Sequence, residues 1–257
     1  MTYTNKEMMV IMIARQIRDG QRVIVGTGLP LIGASLAKRT YAPDCCLLVE
    51  SGMVDGSPVE APTSVADLRF SHGASSLGET FRYFGMQNNS MRKKLIDIGF
   101  LGGAQVDPYG NLNSTSIGDY HHPVTRFSGS GGANGIATFV NTVLIMEHQR
   151  RRFVEKVDYL TSPGWVDGPD GRRSKGLPTH CGPQAVVTNL GLMRFDEQTK
   201  RMFVAEYYPG VTTEEIQRNT GFVIDVSRAV ESLPPEPECL EILRRQLDPN
   251  RVYIGKK

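Results

Sequence analysis

A chain of 257 residues with 40% hydrophobic content is long enough to close a full core and sits near the upper size of one domain, so a single domain over residues 1–257 is expected. Lys and Arg total 29 against 27 Asp and Glu, and a net charge of +2 argues against a nucleic-acid surface or an acidic tail. The four cysteines, Cys45, Cys46, Cys181 and Cys239, have no C-x-x-C spacing and suit reduced thiols of a cytoplasmic protein better than a disulfide framework or a zinc site.

Thr4 and Glu7 have capping-box spacing, and Val10, Ile13, Ala14 and Ile17 share one helical face, which predicts an amphipathic first helix ending before Gly20. Its apolar run from Met8 to Ala14 stops at Arg15, Gln16 and Arg18, too short to span a bilayer, so no membrane segment is expected. Arg22 to Val25 reads as a buried strand, and Gly26 to Gly33 as a glycine-rich turn into a helix over Ala34 to Arg39. Gly26, Gly28 and Gly33 miss the G-x-G-x-x-G spacing of a dinucleotide fingerprint. Gly28 and Gly33 have the gap of a phosphate loop, but Ala34 stands where its lysine belongs. The turn therefore stays open between a plain tight turn and a loop that touches ligand.

Leu47-Leu48-Val49 is a strand that runs straight into Glu50-Ser51-Gly52. A glutamate at that point can face a crevice beyond the carboxyl ends of the strands. Taken alone it is a nucleophile, a base or a structural acceptor. Asp55 is expected to make a turn with Gly56, and Glu60 sits in a proline-rich loop. Pro58 to Ser76 reads as a long loop, Tyr83 to Asn89 is ambiguous, and Met91 to Ile96 suggests a short basic helix. Ile96 to Asp107 predicts a strand broken at Gly102-Gly103, with a turn at Pro108-Tyr109-Gly110 and a return through Asn111-Leu112-Asn113.

Ser128 to Gly135 carries the second glycine cluster, which suits an anion or oxyanion nest or a flexible connection; its apolar, regular flanks favour a structured turn. A helix and the strand Thr142 to Met146 follow. Gln149 to Arg152 is a basic run that reads first as a solvated face and otherwise as a surface that attracts a phosphate-bearing ligand or contacts a partner. Further strands are predicted at Lys156–Thr161, Ala185–Thr188, Leu192–Phe195 and Met202–Ala205, the last two as a hairpin. A loop with Trp165 spans Pro163–Pro183, a short helix opens at Thr213, and a final helix covers Cys239–Leu247. The five histidines lack metal-ligand spacing to a third group, and no G-x-S-x-G or H-E-x-x-H motif is present. The pattern is an α/β fold, a mixed, largely parallel sheet flanked by helices.

Three motifs taken together resemble the β subunit of family I coenzyme A transferases, most closely its glutaconate-transferring members. They are Glu50-Ser51-Gly52 at a strand end, Gly103-Ala104-Gln105-Val106-Asp107 with Gly110-Asn111-Leu112-Asn113, and Gly129-Ser130-Gly131-Gly132-Ala133. The likeness runs from Gly20 to Phe222, with the motifs in order. It implies a CoA-transferase superfamily fold and an active site completed by a separate α subunit. It implies that Glu50 is the nucleophile and that Gly131, Gly132 and Ala133 lie beside the reacting carbonyl, with Gly26 and Gly28 near the site. It further implies coenzyme A as substrate rather than cofactor, acyl-CoA and small carboxylic acids as partners, and no metal. Two competing readings are an acyl-CoA hydrolase or decarboxylase on the same scaffold, and a non-catalytic subunit that only binds metabolites.

Overall fold

The computed structural model describes residues 2–64, 67–78 and 95–255, which cluster into two compact units, one of Met1–Phe100 with Pro234–Lys257 and one of Leu101–Leu233. In the first unit, helix α1 (Asn5–Ala14) opens with the expected capping box: Thr4 Oγ1 accepts from the Glu7 N–H while the Glu7 carboxylate accepts from the Thr4 N–H. The helix is not amphipathic as predicted. Every residue from Glu7 to Ala14 is buried, because Met8, Met9 and Met12 occupy the faces that a surface helix gives to polar side chains. Ile17 lies beyond its end, in a turn closed by its N–H on Ala14 O.

Burial of Glu7 is compensated. Removal from water pushes its carboxyl up, but Arg244 at 2.7 Å, the Thr4 N–H and the charges of Arg244 and Arg251 outweigh that and hold its pKa below the usual value. Arg244 belongs to a π turn, Leu243–Leu247, that continues the C-terminal helix Pro237–Ile242, so this ion pair ties the two ends of the chain together. Glu7→Gln, which leaves two guanidinium groups facing an amide, is expected to cost about 2–4 kcal/mol at pH 7 in urea unfolding. Because the folded pKa is lowered, that loss shrinks as the pH falls through the carboxylate range, where the wild-type side chain also becomes neutral.

Strand β1 (Arg22–Val25) pairs in parallel with β2 (Cys46–Val49), in register from Arg22↔Cys46 to Val25↔Val49, and on its other side with β5 (Ile98–Leu101). The short strands β3 (Met53–Val54) and β4 (Ser76–Leu77) extend this sheet antiparallel, giving the order β5-β1-β2-β3-β4. Helix α2 (Leu29–Arg39) starts five residues earlier than Ala34. Gly28, at φ 90°, makes the turn, and Pro30 sits in the first helical turn, where its missing N–H costs no hydrogen bond. Gly33 is thus a helix-interior residue, small because any side chain there would run into Ile13 of α1. The loop after β3 includes a 3₁₀ turn, Leu68–Ser71, capped by Asp67. The basic helix expected near Met91, like the ambiguous Tyr83–Asn89, falls outside the described residues apart from Leu95 and Ile96.

In the second unit, β6 (Gln105–Val106) and β7 (Leu112–Asn113) form the hairpin expected around Gly110, which has φ 71°. A second small hairpin joins β8 (Ser116–Ile117) to β9 (Thr125–Arg126) and leads into the glycine cluster and helix α3 (Ala133–Phe139). Then β10 (Asn141–Met146) runs parallel to β11 (Pro183–Thr188), and β12 (Gly191–Phe195) and β13 (Met202–Tyr207) form the predicted hairpin, with β14 (Val230–Glu231) beside β13. Residues 156–161 do not form the predicted strand. The Gln105 side chain takes the place of a neighbouring strand there: its carbonyl accepts from the Asp158 N–H at 3.0 Å and its amide donates to the Asp158 carboxylate at 3.1 Å. Within the Trp165 loop, a helical turn, Gly171–Ser174, buries Arg172, whose guanidinium donates to the carbonyls of Ala137, Thr138, Gly164 and Pro178.

Candidate active site

Val25 and Val49 are the last paired residues of β1 and β2, so Gly26 and Glu50 are the next residues along neighbouring strands that stand about 4.8 Å apart. Both emerge at the carboxyl edge of the parallel strands, where α/β sheets gather ligands. The turn that carries Glu50 is closed by the Gly52 N–H on Val49 O at 2.9 Å and requires φ 95° at Gly52, which explains a glycine at that position. The chain then returns as β3, with Leu48↔Val54, and the Gly52 carbonyl accepts from the Gly78 N–H at 2.7 Å. This hairpin, which sequence reading missed, holds Glu50 from both sides; its signal was the Ser51-Gly52 turn pair followed directly by Met53-Val54.

Among the described residues, the next two carboxylates after Glu50 in the chain are both engaged. Asp55, in left-handed backbone at φ 59°, pairs with Lys38 at 2.7 Å, while Lys38 also donates to Cys45 O. Glu60 pairs with Arg69 at 3.5 Å. Glu50 is half-buried, and among the described residues its carboxylate makes no hydrogen bond or ion pair. A half-buried, unpaired carboxylate at a strand end is free to attack a carbon centre or take a proton. Among the described residues the backbone around Gly26 is open, with nothing within 4 Å of where a Cβ would sit, and at Gly28 only Pro30 comes as near as 3.8 Å.

The second unit places Gly131 and Gly132 in a turn that runs directly into Ala133, the first residue of α3. Gly129 and Gly131 take φ of 91° and 51°, backbone that favours glycine. The Ala133 N–H is spent on Ser130 O at 2.9 Å, closing the turn. The N–H groups of Gly131 and Gly132 have no partner among the described residues, which leaves them as the donors such a nest offers to an anion. Gly26, Gly28 and Glu50 thus share one sheet edge of the first unit, and Gly131, Gly132 and Ala133 stand together at the start of α3 in the second. Among the described residues no group of three or more His, Cys, Asp or Glu is placed to hold a metal ion.

The family model for coenzyme A transferase matches residues 6–219, a span that contains Glu50 and the whole glycine turn. The chain belongs to the coenzyme A transferase family. It is 57% identical over 253 residues to the B subunit of glutaconate CoA-transferase of Acidaminococcus fermentans, covering 98% of this chain and 95% of that one. To the B subunit of 3-oxoadipate CoA-transferase of Pseudomonas knackmussii it is 39% identical over 247 residues, covering 94% and 92%. The crystal structure of glutaconate coenzyme A-transferase from Acidaminococcus fermentans superimposes with a TM-score of 0.96 at 56% identity, over 100% of this chain and 99% of that one. The mixed α/β fold expected from the sequence is therefore that of a CoA-transferase.

Proposed function

We propose that this chain is the β subunit of a CoA-transferase that moves CoA between an acyl-CoA such as acetyl-CoA and a small dicarboxylic acid such as glutaconate. The observation that carries this reading is the Glu50 carboxylate at the carboxyl edge of β2, without a partner among the described residues, in a chain so similar to the B subunit of glutaconate CoA-transferase. A Glu50 oxygen attacks the thioester carbonyl, the C–S bond breaks, and CoA thiolate leaves behind a mixed anhydride. The thiolate then attacks the glutamyl carbonyl and expels the donor's carboxylate, giving a glutamyl-CoA thioester. The acceptor acid reverses both steps, so the thioester energy is kept and no nucleotide is spent.

A carboxylate is a weak nucleophile in water, and positioning supplies up to about 7–11 kcal/mol of the barrier in favourable cases. Backbone donors presented to a tetrahedral oxyanion add about 3 kcal/mol each, and the unpartnered Gly131 and Gly132 N–H groups are donors of that kind. Gly26 and Gly28 leave room for substrate along the same edge as Glu50. Coenzyme A is a substrate here, and the scheme needs no resident cofactor or metal. The site is completed by an α subunit, and the free thiols of all four cysteines suit a cytoplasmic setting.

The test is to incubate the reconstituted complex with acetyl-CoA, reduce with borohydride and map the product by mass spectrometry. Glu50 is expected as the alcohol, formed only when acyl-CoA was present. Active transfer with Glu50 unmodified rules the reading out. Full turnover by the isolated chain rules out the need for an α subunit.

A further inference from the structure

The glycine turn is held at both ends by one residue that lies outside all three family motifs. Thr161 is 7% exposed, and its backbone is fixed on β7 by its N–H to Leu112 O at 2.9 Å. Its hydroxyl accepts from the Ser114 N–H at 2.9 Å and pairs with the Thr115 hydroxyl at 2.8 Å. Ser114 in turn grips Gly129 twice: its carbonyl accepts the Gly129 N–H at 3.1 Å and its hydroxyl donates to Gly129 O at 3.1 Å. At the far end of the turn the Thr161 carbonyl accepts from the Asn134 side-chain amide at 2.8 Å. Only Ser130, Gly131, Gly132 and Ala133 lie between the two clamps.

A stretch so rich in glycine has a large conformational entropy when free, and fixing one residue's backbone costs roughly 1–2 kcal/mol. Donors that must find their geometry anew in each turnover pay that cost in the transition state. We infer that Thr161, acting through Ser114 and Asn134, is a positioning residue that pre-sets the Gly131 and Gly132 N–H groups for the developing oxyanion. The inference rests on the reading of that turn as part of an acyl-transfer site. Thr161 touches no reacting atom, so its effect belongs to kcat rather than to substrate binding.

The test uses the complex with its α subunit, acetyl-CoA and glutaconate, and three variants. Thr161→Val keeps the shape but leaves the Ser114 N–H unpaired, and is expected to lower kcat by about 10–100-fold with KM changed by less than about twofold. Thr161→Ser keeps the hydroxyl and is expected to restore kcat to within about threefold of wild type. Ser114→Ala removes only the hydroxyl bond to Gly129 O and gives an intermediate loss in kcat, which keeps the question open to test should Thr161→Val fold poorly. The rate of Glu50 thioester formation in a single turnover falls in step with kcat. Unchanged kcat in folded Thr161→Val and in Ser114→Ala, or equal losses in the Val and Ser variants, overturns the inference. Absence of a Glu50 adduct in the wild-type enzyme overturns the underlying site instead, so the two failures are distinct.

Discussion

Glu50→Gln is expected to abolish CoA transfer, with kcat reduced by about 10⁴-fold or more, corresponding to at least about 5.5 kcal/mol of lost transition-state stabilisation. The amide nitrogen and oxygen of glutamine fill the same half-buried space, and the turn that holds residue 50 depends on Val49, Gly52 and Gly78 backbone groups rather than on the side chain. Folding should therefore be untouched while the attacking oxygen is lost. Glu50→Asp keeps the carboxylate but withdraws it by one methylene, more than about 1 Å, a misplacement that costs about 10²-fold when reacting atoms must align. The ordering wild type, Asp, Gln, with KM for acyl-CoA little changed, distinguishes a nucleophile from a residue that merely binds substrate. A steady-state assay of the complex with acetyl-CoA and glutaconate reads all three. Equal activity of the Asp and Gln variants would contradict a covalent role.

What is legible in the sequence depends on whether the deciding interaction is local. Strands β1, β2 and β10 are short, largely buried stretches rich in Val, Ile and Leu, and β11 to β13 contain the apolar stretches Ala185–Val187, Leu192–Met193 and Met202–Ala205, so composition marks them. The position of Glu50 is equally visible, because turn chemistry at Ser51-Gly52 ends the strand where the acid begins. The start of α2 is misplaced by sequence reasoning because Gly33 looks like a turn residue in one dimension. Its smallness answers to Ile13, twenty residues earlier and packed against it only after folding. Val157, Tyr159 and Leu160 carry the β-propensity of a strand, yet the Asp158 N–H between them is taken by the Gln105 side chain, more than fifty residues away, instead of by a neighbouring strand. Thr161 gives no signal at all, since a lone threonine becomes a clamp only through partners at Ser114 and Asn134.

The same distinction applies to His148, isolated in the sequence, which should shape the acid limb of stability. Its ring is 2% exposed, stacked 4.0 Å from Phe153 at an interplanar angle of 4°, with its two nitrogens at 3.2 Å and 3.0 Å from the hydroxyls of Thr188 and Thr220. Burial pushes its pKa down to about 3, against about 6.5 in an unfolded chain. Between those values the unfolded state binds one more proton, so this group's contribution is complete above about pH 6.5 and is lost at about 1.4 kcal/mol per pH unit as the pH falls, close to 5 kcal/mol in all. Asp107 works against it. Burial raises that carboxyl to about 6, despite hydrogen bonds from Asn111 and Tyr109, so between about pH 4 and 6 the folded state holds the extra proton and gains stability as the pH falls. The two slopes nearly cancel in wild type over that window. His148→Phe keeps the stack on Phe153, and both threonine hydroxyls retain other partners, Thr188 with Gly191 and Thr220 with Ile216. This variant should therefore become more stable between about pH 6 and 4 in urea unfolding, by about 1.4 kcal/mol per unit relative to wild type, and Asp107→Asn should show the opposite trend. Parallel stability curves for wild type and His148→Phe would mean that the ring titrates normally and is not held neutral by its burial.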